Sequence, residues 1–135
     1  MTSVATHRSE AVGVQAMDDQ HGILMDSLNT LRHQLARGNG SARLAEQMAR
    51  LIEFTDMHFG CEESLLRRYG FPDLEQHHAA HQRLLDQIRQ VVGRADRGDD
   101  AELHRMLGFL RGQYVEHVEG LDREYSRWLN DRGVY

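Results

Sequence analysis

Three interruptions divide this chain into four segments with the period of an α-helix, and that partition leaves few folds open. The breaks are Gly38-Asn39-Gly40, Tyr69-Gly70-Phe71-Pro72 and Arg97-Gly98-Asp99. Glycine and asparagine tolerate the left-handed conformation that stops a helix, and proline disfavours helix at the residue before it. Between the breaks, apolar positions recur at alternating spacings of three and four, the stripe of an amphipathic helix. The first segment, about Asp18 to Arg37, steps through His21, Leu24, Leu28, Leu31 and Leu35, with Asp18 or Asp19 as a capping carboxylate. The second, from Ser41 to about Arg68, carries Leu44, Met48, Leu51, Thr55, His58, Glu62, Leu65 and Tyr69.

Asp73 followed by Gln76 has the form of a capping box and opens the third segment, with Leu74, His77, His81, Leu84, Ile88, Val91 and Ala95 inward. The fourth, capped by Asp100 and ended near Gly133, carries Leu103, Leu107, Leu110, Tyr114, His117, Leu121, Tyr125 and Trp128. Short connections make neighbouring helices antiparallel. The expected fold is therefore all-α: an N-terminal arm over residues 1–17, then an up-down-up-down antiparallel four-helix bundle over residues 18–135.

Composition narrows the function. A chain of 135 residues with 40% hydrophobic and 27% charged side chains is one globular domain. Its net charge of -5, with arginines dispersed among acids, leaves no basic stripe for nucleic acid. No apolar run approaches a membrane span, and the opening MTSVATHRSE lacks the pattern of a secretory signal. Cys61 is the only cysteine, which excludes an intramolecular disulfide and fits a reducing, cytoplasmic setting. Cys61 lies between His58 and Glu62 but points off the stripe, and it reads as filler. No apolar stripe is left over for an interface, so a monomer is expected.

The stripes themselves carry the chemistry. His21, His58, Glu62, His77, His81 and His117 occupy positions where a leucine is the ordinary choice, and Asp122 lies one position beside the fourth stripe. Pairs at i and i+4, such as His58 with Glu62 and His77 with His81, project about 6 Å apart from one face, close enough to share or flank a metal. His117 and Asp122 are five apart, which in an α-helix turns them about 140° from each other. Asp122 is thus expected not to chelate beside His117 but to reach across and bridge two ions. Starts of odd helices and ends of even helices meet at one end of an antiparallel bundle, so all seven side chains collect in one layer. Five neutral histidines in an apolar core without partners would cost several kcal/mol in total, roughly one unsatisfied polar group at a time.

Imidazole and carboxylate without thiolate suit iron, manganese, copper or zinc. Seven ligands are too many for one tetrahedral zinc and fit two metals bridged by carboxylates. The remaining histidines, His7, His33, His78 and His104, fall in the arm, off the stripes or at a stripe edge, and read as surface residues.

VGVQAMDDQH at Val12–His21, HFGCEE at His58–Glu63, YGFPDLEQHHAAH at Tyr69–His81 and HVEGLD at His117–Asp122 together resemble the hemerythrin family, above all its bacterial members. The resemblance covers nearly the whole chain. It implies a non-haem centre of two iron ions with an oxo or hydroxo bridge. His77, His81 and His117 would hold one iron, and His21 and His58 the other, leaving it an open coordination position. Glu62 and Asp122 would bridge the pair. The implied ligand is dioxygen, bound reversibly, with small anions and nitric oxide as further candidates. By motif position Leu24, Phe59, Tyr114 and Val118 would line a dry dioxygen pocket.

Two positions depart from the bacterial pattern. Thr6, His7 and Arg8 occupy the region where a tryptophan usually precedes the VGV, and Gln113 stands where the fourth helix often has tryptophan. Both changes predict a wetter pocket and faster autoxidation. A histidine-rich site favours binding over oxygen activation, so carriage, storage, delivery or sensing of dioxygen is expected rather than an enzyme. A di-iron oxidase, peroxidase or nitric oxide-handling enzyme is the alternative.

Overall fold

The computed structural model describes residues 13–36, 41–94 and 100–135. Helix α1 spans Gln15–Ala36, α2 Ser41–Tyr69, α3 Leu74–Arg94 and α4 Asp100–His117. From His117 the chain continues without a break through a π-helical turn, Val118–Asp122, into α5, Arg123–Asn130. Thus α4, the π turn and α5 form one rod. Helix α1 packs on α2 and α4, and α3 packs on the same two, which closes the expected four-helix bundle. No helix among the described residues is long and apolar enough to cross a membrane.

The first helix starts three residues before Asp18. Gly13, at φ +99, turns the chain in, and its N–H donates to Asp18 Oδ2 at 3.1 Å. Asp18 still caps the helix, but from inside the first turn, satisfying a donor that the missing preceding turn would leave open. The early start also buries Val14 and Met17. Helices α2 and α5 end in one design. Gly70 (φ +74) and Gly133 (φ +81) take the left-handed conformation, and the next residue bonds back to the carbonyl five residues earlier: Phe71 N–H to Leu66 at 2.9 Å, Val134 N–H to Leu129 at 3.0 Å. Each closure brings its partners into the same apolar cluster. The expected breaks at Gly38–Gly40 and Arg97–Asp99, the arm through residue 12, and the side chains of Leu44 and Ala95 lie outside the described residues.

The stripes bury as their spacing requires through His21, Leu24, Leu28, Leu31 and Leu35, and through Met48, Leu51, Thr55, His58 and Glu62. Three expectations fail further along, the simplest being Leu74 at the start of α3, which is only half-buried. In α2 the inward residue after Glu62 is Leu66, fully buried, while Leu65 is half-buried and Tyr69 exposed. A straight helix gains one position on a strict three-four alternation, so i+4 wins over i+3 here. In the fourth rod Leu121 and Trp128 are half-buried, and Asp122, Tyr125, Ser126 and Leu129 take the interior. The π turn causes this shift, because one extra residue in the turn advances every later side chain.

Two apolar cores result. The larger includes Met25, Met48, Leu85, Leu103, Leu107 and Val118. The smaller joins Val14, Met17, Leu66, Phe71, Tyr125 and Leu129 at the other end. Each fully buried aliphatic side chain stabilises the bundle by about 1.5–3 kcal/mol. Between the cores lies a single polar layer.

Candidate metal centre

That layer contains all seven side chains singled out from the sequence. His21 and His77 are 1% and 2% exposed, His58, Glu62 and His81 0%, His117 8% and Asp122 1%. Charged groups are almost never buried so completely unless paired. The surrounding helices explain the convergence: α1 and α3 begin at the layer, while α2 and α4 end in it. His33 and His78, off the stripes, and His104, at a stripe edge, are exposed as expected.

The two carboxylates divide the histidines into two groups. Glu62 Oε1 lies 2.7 Å from His77 Nε2 and 2.8 Å from His81 Nε2. Its other oxygen, Oε2, lies 3.3 Å from both His21 Nε2 and His58 Nε2. Asp122 repeats the division, with Oδ1 at 3.0 Å from His77 and His117 Nε2 and Oδ2 at 3.2 Å from His21 Nε2. One group is therefore three imidazoles with one oxygen of each carboxylate; the other is two imidazoles with the remaining oxygens. Ligand atoms of Glu62, His77, His81, His117 and Asp122 lie within 4.8 Å of one another, and so do those of His21, His58 and Glu62.

Asp122 reaches this position differently from the sequence expectation. Because Val118–Asp122 is π-helical, the Arg123 N–H is offered back to Val118, five residues earlier. Residues five apart then stand one turn above each other, so Asp122 shares the face of His117 and lies beside it. The expected rotation of about 140° applies to a regular α-helix. Single π turns of this kind recur at functional sites.

Several buried polar atoms have no hydrogen-bond partner among the described residues: both oxygens of Asp122, Nε2 of His58 and of His117, and Nδ1 of His21. Four of these five point into the layer near opposite charge but lack hydrogen-bond angles. Unsatisfied buried polar atoms are rare and call for a reason. A cation between the imidazoles and the carboxylates supplies one, and a nitrogen-rich, oxygen-supplemented set free of thiolate suits iron or a similar transition metal.

Electrostatics mark the layer as well. Burial opposes charge on His21, but the Asp122 and Glu62 carboxylates outweigh it and raise its pKa to about 10. His77 is raised against the same opposition, to about 9, by the same two carboxylates. Burial pushes the Glu62 carboxyl up, yet the imidazoles of His21, His58, His77 and His81 grouped around it hold it well below the usual range. For Asp122, burial and the Glu62 charge push upward, and His117 and His21 prevail in lowering it.

Three partners of these residues were not singled out from the sequence. Tyr125 donates its hydroxyl to Glu62 Oε2 at 2.9 Å. Burial first, then the Glu62 and Asp122 charges, keep that phenol protonated by raising its pKa. Gln20 Oε1 lies 2.7 Å from His58 Nδ1, and Glu63 Oε2 lies 2.8 Å from His81 Nδ1. The signals were present: Gln20 and Glu63 directly adjoin His21 and Glu62, and Tyr125 lies on a stripe. Cys61 is exposed, with its Sγ 3.6 Å from the Met57 sulfur.

Beside the layer is a small apolar cavity lined by Leu24, Phe59 and Tyr114, together with Leu28, Leu51, Thr55, Leu84, Ile88 and Leu110. The cavity has room for about one water-sized molecule. Its walls touch both groups: the Tyr114 ring is 6.1 Å from that of His21, and the Phe59 ring stacks on His81 at 3.8 Å. Val118 is fully buried in the adjoining core and is not among the lining residues. Gln113 lines an open groove that also reaches His117, on the outer side of the layer. Thr6, His7 and Arg8 lie outside the described residues.

Comparison with known proteins agrees with this geometry. The family model for the hemerythrin HHE cation binding domain matches residues 12–129. A bacteriohemerythrin from Methylococcus capsulatus is 29% identical over 113 residues, covering 84% of this chain and 86% of that protein. One from Ralstonia nicotianae is 30% identical over 127 residues, covering 93% and 89%. A hemerythrin-like protein from Naegleria gruberi is 27% identical over 118 residues, covering 87% of each. With this match across nearly its whole length, and a histidine–carboxylate layer suited to two irons, the chain belongs to the hemerythrin family.

Proposed function

We propose that the protein is a non-haem di-iron protein that binds dioxygen reversibly, for carriage, storage, delivery or sensing. The observation that carries this reading is the division of both carboxylates, each giving one oxygen to the three-imidazole group and one to the two-imidazole group. His77, His81 and His117 would hold one iron, His21 and His58 the other, with Glu62 and Asp122 bridging and an oxo or hydroxo bridge completing the pair. When bound, the two irons supply the electrons on which reversible dioxygen binding draws.

The chain's own residues do the rest. Tyr114, one wall of the apolar cavity, stands beside His21 of the less heavily ligated group, so Leu24, Phe59 and Tyr114 would admit a diatomic ligand while limiting water. Tyr125 holds the Glu62 oxygen on that same side. Nitric oxide or a small anion would compete for the same open coordination position. A monomer in the cytoplasm suits the single cysteine and the absence of a continuous apolar face in the sequence.

Two irons per chain, with charge-transfer bands that appear on air exposure of the reduced protein and reverse under vacuum, are the expected result. His58→Ala should abolish them. Iron-free protein, or a normal spectrum in that variant, overturns the reading. A second reading, a di-iron enzyme with oxidase, peroxidase or nitric oxide-handling activity, draws on one feature: the buried Thr55 hydroxyl among the cavity walls. Immediate conversion to a ferric form with turnover of a reductant would select it.

A further inference from the structure

His81 is restrained from three sides. Its ring stacks on Phe59 with centroids 3.8 Å apart and planes 3° from parallel. Its Nε2 faces Glu62 Oε1, and its Nδ1 lies 2.8 Å from Glu63 Oε2. Glu63 follows Glu62 on α2, so its side chain leaves the helix about 100° away from that of its neighbour and meets the outer flank of α3. There its second oxygen, Oε1, lies 2.6 Å from Nδ1 of His78, an imidazole 55% exposed. His78 and His81 are three apart on α3 and therefore share a flank. One carboxylate thus spans two rings, one at the surface and one fully buried.

The other half of the layer lacks such support. His58 Nδ1 meets the neutral amide oxygen of Gln20, and His21 Nδ1 has no hydrogen-bond partner among the described residues. An ionised carboxylate can only accept, so the proton of His81 belongs on Nδ1 and its Nε2 is directed to the centre. A carboxylate on the far nitrogen also makes an imidazole a stronger donor and fixes its orientation, whereas an amide does so less strongly.

We propose that Glu63 is a positioning residue for the three-imidazole half: it locks the tautomer and orientation of His81, is itself propped by His78, and makes that half retain its metal longer than the His21/His58 half. This rests on the two-metal reading above. The residues act through His81 and do not touch the metal.

The test loads the full chain anaerobically with ferrous ion and follows release to an excess of a ferrous chelator. Wild type should release two ions in a fast and a slow phase. Glu63→Ala should speed the slow phase about tenfold to a hundredfold and leave the fast phase unchanged. Gln20→Ala should do the reverse. Glu63→Gln keeps an acceptor oxygen and should fall between wild type and Glu63→Ala, which also serves if the alanine variant does not fold. His78→Ala should give a smaller acceleration of the slow phase. Wild-type release from a helical Glu63→Ala protein overturns the proposal, as does equal acceleration of both phases. A wild type that binds no metal would instead overturn the two-metal reading itself.

Discussion

Tyr125 and Glu62 stand 63 residues apart in sequence and meet through one buried hydrogen bond of 2.9 Å, phenol to carboxylate. Tyr125 belongs to the smaller apolar core, so the bond fastens the polar layer to the packing beneath it. Tyr125→Phe keeps the ring and deletes only the donor. A hydrogen bond to a buried charge contributes about 1.5–3 kcal/mol, and the metal-free variant should lose stability of that order in urea unfolding. An unchanged unfolding midpoint would show that the bond contributes nothing.

The metal-free chain should be most stable in weak acid. The folded-state pKa values of His21 and His77, about 10 and about 9, lie above their ordinary 6.5. Their contribution is complete below 6.5 and fades as pH rises through 9 to 10. Glu62 and Asp122 are shifted the other way, so their contribution is present above the ordinary carboxylate range and fades as pH falls through it and below. Melting temperature without metal should therefore peak between about pH 4.5 and 6.5. Iron competes with those protons, so the loaded protein should gain relative to the metal-free one as pH rises. A metal-free melting temperature that climbs from pH 6.5 to 9.5 contradicts this.

Thr55 brings a hydroxyl without a hydrogen-bond partner into the cavity wall, 2% exposed. Thr55→Val removes the hydroxyl at nearly the same volume. The variant should gain about 1 kcal/mol, and under the proposed dioxygen-binding function its oxygenated form should persist longer because the cavity holds water less well. Faster autoxidation together with lower stability would refute both statements.

Gly70 tests whether the layer depends on the helix end below it. Its φ of +74 strains any residue with a Cβ, although no atom lies within 4 Å of where that Cβ would be. Gly70→Ala should cost about 1 kcal/mol through the backbone alone. Iron content per folded chain should stay the same, and a drop would mean that the closure of α2 sets the position of Glu62.

Most of the bundle was legible because core burial and helix period coincide: every stripe residue from His21 to Leu35 is buried. The layer was legible for the opposite reason, since His58, Glu62, His77 and His81 occupy apolar positions and only a common partner reconciles them. Partners outside the stripes were not. Gln20 and Glu63 face the flanks of neighbouring helices, and hydrophobic periodicity says nothing about flanks. The π turn was also hidden, because a pattern read at 3.6 residues per turn assumes the geometry that Val118–Asp122 departs from.

That turn has a consequence for how this chain tolerates changes in length. A deletion inside an α-helix rotates everything beyond it by about 100° and turns a core face outward. Here the fourth rod already holds one residue more than a regular helix needs, and Gly120 is exposed, with nothing near its missing side chain. Removing Gly120 would let the turn relax to an ordinary α-helix, placing the aspartate four residues after His117 and leaving Tyr125 and Leu129 facing inward. The rod should therefore accept a single deletion between Val118 and Asp122, whereas one between Leu103 and Leu110 should unfold it. Thermal melts of the two deletion variants would separate these cases.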